Sequence, residues 1–316
     1  MADTIKNGSF DITSFKVGSD DCKIYLGDTL LYPQSQPQEK NYLRIKAANT
    51  ATFTFIPKGG VASGNTISYS SDGGTTWRTQ NNFLVSAGSV YLLKGENFGI
   101  SNNGIGTFSA STNFDVEGNI MSLLYGDDFE GKTDLTGKDY AFMNLFSGCT
   151  NVIDASNLVL PATTLSRQCY CNMFNTATKL QKAPSVLPAM TLGVGCYMNM
   201  FSRCSAMTSV MDELPATTLS DSAYTQMFYE CRVMTKAPML PANVVPTYGY
   251  YRMFYNAKKL NKITTLALDK SAYNANGSWV YGVASSGTFI KHKDMTQWSN
   301  GSNGIPNGWT VQNYSG

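Results

Sequence analysis

Residues 196–204 read CYMNMFSRC, and this pattern recurs five times between residues 141 and 257. Each copy centres on a phenylalanine that follows a leucine or methionine, with an aromatic residue four positions earlier and a small residue three positions later. The central residues, spaced 28, 27, 27 and 26 positions apart, are Phe146, Phe174, Phe201, Phe228 and Phe254. A fixed period of about 20–50 residues predicts a solenoid, in which each unit buries its hydrophobic face against its neighbours.

The recurring positions predict a ladder of side chains that stack from one coil to the next. Besides the phenylalanines, the predicted ladder contains Tyr170, Tyr197, Tyr224, Tyr250, Cys149, Cys204 and Cys231. Burial of each phenylalanine contributes about 2–3 kcal/mol, so the ladder is expected to be the main stabilising feature. Five of the seven cysteines occupy small positions inside repeats. We interpret them as reduced, buried side chains rather than as disulfides or zinc ligands.

The spacing within one repeat predicts its local structure. Apolar residues at i, i+1, i+4, i+5 and i+8 lie within an arc of about 140° on a helical wheel, which indicates a short amphipathic helix. The pattern is clearest over residues 166–177, and Ser166, Ser220 and Asp221 are candidate helix N-caps. An aliphatic residue six positions after the phenylalanine predicts a short strand, and the Leu-Pro-Ala that follows predicts a turn.

Residues 192–219 contain nearly all of this pattern and resemble the BspA-like, or Treponema-type, leucine-rich repeats. The variant with Leu-Pro-Ala-Thr-Thr-Leu before Cys-Tyr-x-x-Met-Phe-x-x-Cys is similar to proteins of gut Bacteroides and of the Bacteroides phages, including crAss-like phages. Residues 118–127 and 287–311 are similar to the lead-in and the ending of such arrays, so the resemblance covers residues 104–316. It implies binding or adhesion, and an α+β fold class: N-terminal all-β modules followed by a leucine-rich-repeat solenoid of helix, short strand and proline turn, with period 26–28.

The sequence predicts five segments. Residues 1–32 resemble N-terminal modules of Bacteroides phage tail and fibre proteins, which implies a virion anchor; an ordinary N-terminal hairpin is the alternative. Residues 33–40 form a polar, proline-containing linker, and residues 41–115 alternate with a period of two that predicts a β-sandwich. The five-repeat solenoid is expected at residues 116–268, with a capping segment at 269–316.

Within the predicted sandwich, residues 70–77 match an Asp-box, Ser-x-Asp-x-Gly-x-Thr-Trp. Asp72 and Thr76 can tie a hairpin turn to its own backbone while Trp77 packs beneath it. A sialidase propeller needs one such box in each of several blades and an arginine cluster, so we interpret this single box as a structural turn.

Composition and motifs indicate no catalytic chemistry. A net charge of +2, from 24 basic and 22 acidic residues, is not typical of nucleic-acid binding, and no apolar run reaches the roughly 18 residues of a membrane span. The single histidine, His292, lies between two lysines and does not indicate a triad. Asp127 and Asp128 could hold calcium, but the EF-hand spacing is absent, and a solvated start of a helix is the preferred interpretation. We therefore predict no enzyme activity, no cofactor and no bound metal.

One surface is a candidate for binding a receptor or partner. Stacked repeats would align a basic stripe with nearby tyrosines, and its residues are Lys179, Lys182, Arg203, Arg232, Lys236, Lys259 and Lys262 with Tyr229, Tyr251 and Tyr255. The stripe could contact acidic capsular polysaccharide or an acidic neighbouring subunit, and the tyrosines could stack on sugars. The alternative is a solvated face with alternating charges.

The leading hypothesis is a non-enzymatic phage virion structural protein: a head-fibre, tail-fibre or tail-tip component that serves host attachment and receptor binding. Residues 1–32 would contact other virion proteins, and the repeats would contact a host surface glycan or protein, in a homo-oligomer such as a trimer. Because the N-terminus lacks an export signal, a virion assembled in the host cytoplasm is favoured over a bacterial cell-surface adhesin. The third hypothesis is a glycan-degrading enzyme.

Overall fold

The computed structural model describes residues 40–58, 64–97 and 102–315 in full, together with the backbone of five short strands before residue 33. The chain divides into two compact units, Met1–Asn41 and Tyr42–Gly316. In the first unit, β1 (Lys6–Asn7) pairs with β2 (Phe10–Asp11), and β3 (Ser14–Phe15), β4 (Ile24–Leu26) and β5 (Thr29–Tyr32) form a second antiparallel sheet. The rest of the predicted anchor, and the linker up to residue 39, lie outside the described residues.

The second unit begins with two sheets that pack face to face. The strands are β6 (Leu43–Ala47), β7 (Ala51–Pro57), β8 (Ser68–Ser70), β9 (Arg78–Thr79), β10 (Asn82–Val85), β11 (Val90–Lys94), β12 (Gly106–Ala110) and β13 (Phe114–Asn119). One sheet has the order β10-β7-β12, and the other contains β13-β6-β11-β8-β9. Alternate residues of β7 are buried, and Phe53 contacts Phe114 of the facing sheet with ring centroids 4.7 Å apart.

The first repeat continues the same sheet. A four-residue helix, α1 (Ser122–Tyr125), and a 3₁₀ turn (Gly126–Asp128) follow β13. Strands β14 (Val152–Asp154) and β15 (Leu158–Val159) of the first repeat then pair with β13 in parallel. Residue 115, the predicted end of the sandwich, therefore lies inside β13. The sandwich and the repeats share one hydrophobic core.

The predicted fold class, an α+β chain ending in a leucine-rich-repeat solenoid, is wrong. The regular secondary structure is nearly all β-sheet, with 26% strand and 3% helix, and the described residues contain no helix–strand solenoid of the leucine-rich-repeat type. Where a helix was predicted, over residues 166–177, the chain makes a run of turns. The candidate N-caps Ser166 and Ser220 precede such turns rather than helices, and Asp221 is the first residue of one.

The backbone hydrogen bonds explain why this run is not helical. Cys171 and Met173 donate to the carbonyls three residues earlier, at 3.1 and 3.2 Å. The alternate residues donate to the next coil, as Asn172 does to the Met198 carbonyl at 2.9 Å. Every fourth residue has a positive φ, with values of 51°, 55° and 61° at Gln168, Asn172 and Thr176. A left-handed residue at this interval interrupts any α-helix.

The error in the prediction has a simple physical cause. Apolar positions i, i+1, i+4, i+5 and i+8 repeat every four residues, and a ribbon with one left-handed residue in four has the same period. Over nine residues this period hardly differs from the helical period of about 3.6. The apolar pattern therefore fits both structures, and only the backbone conformation distinguishes them.

The run of turns also occurs a sixth time, beyond the fifth phenylalanine. Positive φ recurs at Asn274, Ser278 and Gly282, and Phe254 donates its N–H to the Trp279 carbonyl at 2.8 Å. Strand β16 (Lys262–Thr265), which precedes this run, forms a parallel sheet with β17 (Thr288–Lys291) and β18 (Thr310–Asn313), which follow it. No helix of the described segments is long and apolar enough to cross a membrane.

Candidate binding face

Two buried columns of rings hold the coils in register. The phenylalanine column runs from Phe108 of β12 through Phe146, Phe174, Phe201 and Phe228 to Phe254, with neighbouring centroids 5.2–5.7 Å apart. The second column runs through Phe142, Tyr170, Tyr197, Tyr224 and Tyr250, with spacings of 5.7–6.2 Å. Equivalent residues of successive coils therefore lie one above another, both in the core and on the surface.

The cysteines belong to this core. The thiols of Cys204 and Cys231 donate to the carbonyls of Phe174 and Phe201, at 3.2 and 3.1 Å. Burial raises the pKa of the Cys149 thiol to about 11 and that of Cys171 to about 12. The six cysteines of the described region are buried and free of disulfides. They are protonated at neutral pH, which does not suit a nucleophile.

A third column of rings lies on the outside of the coils. It occupies the position after the central phenylalanine, which holds Ser147, Asn175 and Ser202 in the first three coils and Tyr229 and Tyr255 in the next two. Tyr281 continues the column in the sixth run of turns. Tyr229 stacks on Tyr255 at 5.0 Å and 10°, and Tyr255 stacks on Tyr281 at 4.8 Å and 21°. The outer column is partly exposed, in contrast to the two inner columns.

Two arginines lie against these tyrosines. The Arg203 guanidinium is 5.6 Å from the Tyr229 ring centroid, and that of Arg252 is 5.1 Å from Tyr251 and 5.5 Å from Tyr255. These distances are within the range of cation–π attraction. The guanidiniums are therefore held beside the rings.

A second group of tyrosines adjoins Tyr251. Tyr248 makes edge-to-face contacts with Tyr251 at 5.3 Å and with Tyr273 at 5.5 Å. Tyr273 is 69% exposed. We call the whole surface the tyrosine–arginine face; its members are Arg203, Tyr229, Tyr248, Tyr251, Arg252, Tyr255, Tyr273 and Tyr281. Four of its members, Arg203, Tyr229, Tyr251 and Tyr255, belong to the candidate surface predicted from the sequence, and the other four do not.

The lysines of the predicted basic stripe are largely engaged by other groups. Lys182 forms an ion pair with Asp154 at 2.7 Å, and Lys236 forms one with Asp212 at 3.1 Å. Burial alone would raise the pKa of Asp154, but hydrogen bonds from Lys182 and Ser156 lower it. The hydrogen bond to Asp154 in turn raises the pKa of Lys182.

The other basic residues of the stripe differ in their surroundings. Lys179 donates to the side-chain oxygens of Asn113 and Asn151, at 3.1 and 3.0 Å. Arg232 donates to Glu230 at 3.1 Å, and Arg203 approaches the same carboxylate at 3.9 Å. Lys259 and Lys262 are exposed. The stripe therefore offers less uncompensated positive charge than its sequence indicates.

The acidic stretch considered for calcium contacts a lysine. Asp127 accepts hydrogen bonds from Lys94 at 2.7 and 2.8 Å and from the Tyr42 hydroxyl at 2.5 Å. Burial, followed by the bond to Asp127, raises the pKa of Tyr42. In the parts of the chain that the structure describes, no group of three or more His, Cys, Asp or Glu residues could hold a metal ion.

The Asp-box forms a self-contained turn. Asp72 accepts hydrogen bonds from the Thr76 hydroxyl at 2.6 Å and the Thr76 N–H at 2.9 Å, and these bonds lower its pKa to about 2. The Trp77 indole donates to the Gly74 carbonyl at 3.0 Å, and Lys94 lies 4.1 Å from the Trp77 ring centroid. The polar groups of the box are thus used within the turn itself.

Comparison with known proteins gives no relative from which a function could be transferred: no family model, no curated protein and no solved structure matches this chain. The geometry of the tyrosine–arginine face is therefore the main basis for a functional hypothesis.

Proposed function

We propose that this chain is a non-enzymatic attachment protein of a phage particle, and that its tyrosine–arginine face binds a glycan or protein of the host envelope. The observation that carries this proposal is the partly exposed column Tyr229–Tyr255–Tyr281 with its arginines, built on coils that two buried ring columns hold in register. Tyrosine and arginine are the residue types enriched where a few side chains supply most of a binding energy.

The face is suited to binding because its side chains are already ordered. Immobilising a flexible side chain on binding costs about 0.5–1.5 kcal/mol. Tyr255 is held between Tyr229 and Tyr281, and Arg252 lies against Tyr251 and Tyr255. Much of this ordering cost is therefore met in the free protein, which favours affinity for a partner that fits the face.

The stacking also determines which part of each ring can make contacts. Both faces of Tyr255 are covered by its neighbours in the column, so a ligand meets its edge and hydroxyl group. The hydroxyl group can donate and accept hydrogen bonds, and the adjacent guanidiniums are donors. Sugar hydroxyls and peptide carbonyls are suitable partners for this combination.

The virion location rests on the sequence resemblance. Residues 1–32 are similar to N-terminal modules of phage tail and fibre proteins, and we propose that they contact other virion proteins. The particle component would be a head fibre, a tail fibre or a tail tip, and a homo-oligomer such as a trimer would present several copies of the face. Multiple copies raise the overall avidity without a new contact.

Immunogold labelling tests the location. An antibody against the purified chain should label purified phage particles at one defined structure in electron micrographs. Label found only on the surface of particle-free bacterial cells would refute the virion assignment and support a bacterial adhesin.

Matched substitutions test the binding face. The triple variant is Tyr229→Ser, Tyr255→Ser and Tyr281→Ser. Serine already occupies this repeat position in two earlier coils, as Ser147 and Ser202, so the variant should fold. We expect at least about a tenfold loss in the affinity of the purified chain for host cells, as for truncation of aromatic hot spots. Asn175→Ser, at the same position of another coil, should bind like the wild type. Unchanged binding by the triple variant would exclude this face as the attachment surface.

A further inference from the structure

A cleft opens beside Tyr281, at the end of the outer column. One wall is formed by residues 280–285 of the sixth run of turns, and the other by Gly301, Ser302, Pro306 and Asn307 of the loop between β17 and β18. Its volume is about 450 Å³, within the range of about 300–1,000 Å³ that is usual for small-molecule sites. We call it the Tyr281 cleft.

Tyr281 differs from the other rings of its column. It is 51% exposed, and it lines the cleft while its inner face stacks on Tyr255. As the last ring of the column it keeps one face for a ligand, whereas both faces of Tyr255 are covered. Within the outer column, Tyr281 therefore offers a ring face that can act as a stacking platform.

The walls of the cleft are tied together by hydrogen bonds. The indole of Trp309 donates to the Ala284 carbonyl at 2.7 Å, and that of Trp279 donates to the Gly304 carbonyl at 2.9 Å. Asn303 accepts from the Ser278 N–H at 2.6 Å through its side chain. Both indoles are buried, so these bonds are shielded from water. The cleft is pre-formed, which lowers the cost of binding.

The chemistry of the lining restricts the ligand. Ser285, Ser302 and Asn307 supply hydroxyl and amide groups, and Val283, Ala284 and Pro306 supply apolar contact. In the region that the structure describes, the side chains of Ser285 and Asn307 are exposed and make no hydrogen bond with the protein. The residues that line the cleft carry no charge. A carboxylate, sulfate or phosphate on the ligand would enter without a counter-charge, which is unfavourable.

We propose that the Tyr281 cleft binds an uncharged pyranose, as the terminal or branching sugar of a host-envelope glycan. The apolar C–H face of the sugar lies on the Tyr281 ring, and its hydroxyls exchange hydrogen bonds with Ser285, Ser302 and Asn307. A pyranose combines one flat apolar face with a rim of hydroxyl groups, which matches a ring platform opposite neutral polar groups. This assignment rests on the proposed attachment function and names the ligand class of that surface.

Saturation-transfer NMR on the full chain tests the assignment. The probes are the methyl pyranosides of glucose, galactose, mannose and N-acetylglucosamine, with methyl glucuronide as the charged comparison. At least one neutral pyranoside should receive saturation, mainly at its ring C–H protons, and the glucuronide should receive less. Tyr281→Ala should weaken binding about tenfold or more, the loss typical of a truncated aromatic hot spot.

Three variants separate loss of the platform from loss of the fold. Tyr281→Phe keeps the ring and should keep the signal. Tyr314→Ala removes a half-buried tyrosine that neither lines the cleft nor belongs to the tyrosine–arginine face, and should also bind like the wild type. Ser285→Leu leaves Tyr281 in place but obstructs the cleft with a bulky apolar side chain, so it should lose the signal.

Host-cell binding, measured in parallel, distinguishes this assignment from the attachment function. A wild-type chain that binds cells but gives no signal with any neutral pyranoside would overturn the cleft assignment and leave attachment in place. A pyranoside signal that survives Tyr281→Ala and Ser285→Leu would overturn it as well. Pyranoside binding that depends on Tyr281, in a chain that does not bind host cells, would support the cleft and refute the attachment function.

Discussion

The substitution Phe201→Ala removes the central ring of the phenylalanine column. Phe201 is completely buried, and it stacks on Phe174 at 5.7 Å and 10° and on Phe228 at 5.6 Å and 15°. Both adjacent coils therefore lose a contact. Phe→Ala replacements in protein cores cost about 3–5 kcal/mol in the free energy of unfolding, depending on how far the site can collapse.

The site around Phe201 has little freedom to collapse. Phe174 donates its N–H to the Met200 carbonyl at 2.8 Å, and Phe201 donates to the Met227 carbonyl at 3.0 Å. These bonds fix the spacing of the three coils, so a cavity at Phe201 stays open. Each stacked pair also contributes about 0.5–1.5 kcal/mol beyond the buried area. We therefore expect a loss in the upper half of the range, about 4–5 kcal/mol.

Urea unfolding, followed by both circular dichroism and tyrosine fluorescence, measures this loss. Phe201→Leu is the control, since it loses the same two ring contacts but keeps much of the apolar volume, and should therefore cost less than Phe201→Ala. Agreement between the two probes would show that the column unfolds as one unit. A loss below about 2 kcal/mol for Phe201→Ala, or equal losses for both variants, would refute the continuous, rigid column.

Three further measurements examine other parts of the structure. The pKa of Asp72 is lowered to about 2 because Thr76 donates to it; its contribution to the Asp-box turn is therefore full above the ordinary value of 3.8 and is lost as the pH falls through about 2. The Trp77 indole N–H resonance should shift with a midpoint near pH 2, and a midpoint close to 3.8 would show that the turn is not tied by this carboxylate. The buried thiols of Cys171 and Cys204 should react with iodoacetamide only after unfolding, as judged by peptide mass mapping, and rapid labelling of the native chain would contradict their burial. Lys236→Ala breaks an exposed ion pair and should change the free energy of unfolding by less than about 1 kcal/mol; a larger change in urea unfolding would show that the pair is coupled to the core.

The period of the sequence predicts which residues are equivalent, but it leaves their backbone conformation open. A nearly constant spacing of phenylalanines indicates that successive coils have nearly the same length. The spacing therefore predicts that Phe174, Phe201 and Phe228 are aligned. The same apolar spacing suits a helix and a ribbon of turns. A signal for the ribbon was present in Asn144, Asn172 and Asn199, since asparagine adopts positive φ more readily than most residues. Gln226 and Arg252 at the same position obscured it.

The binding face was predictable only in part, for reasons that differ between its residues. Tyr229 and Tyr255 occupy a repeat position, so their alignment followed from the period. Tyr281 was missed because Trp279 and Val280 replace the Leu-Phe or Met-Phe pair that marks the other coils. The ion pair between Lys182 and Asp154 follows from the period, because both residues lie eight positions after the phenylalanine of successive coils. The pair between Lys236 and Asp212 does not, because Asp212 lies eleven positions after Phe201 and its proximity to Lys236 depends on the folded path of the coil.

The most direct test of the stacked-turn fold compares two substitutions at Asn199, whose φ is 56° and whose N–H bonds to the next coil at 2.9 Å. In the left-handed conformation a residue with a Cβ is strained by about 1–2 kcal/mol and glycine is not, so Asn199→Gly should unfold at a higher urea concentration than Asn199→Ala. In an α-helix the order reverses, because alanine is favoured over glycine by about 1 kcal/mol. A more stable Asn199→Ala variant would contradict the ribbon of turns on which the tyrosine–arginine face is built.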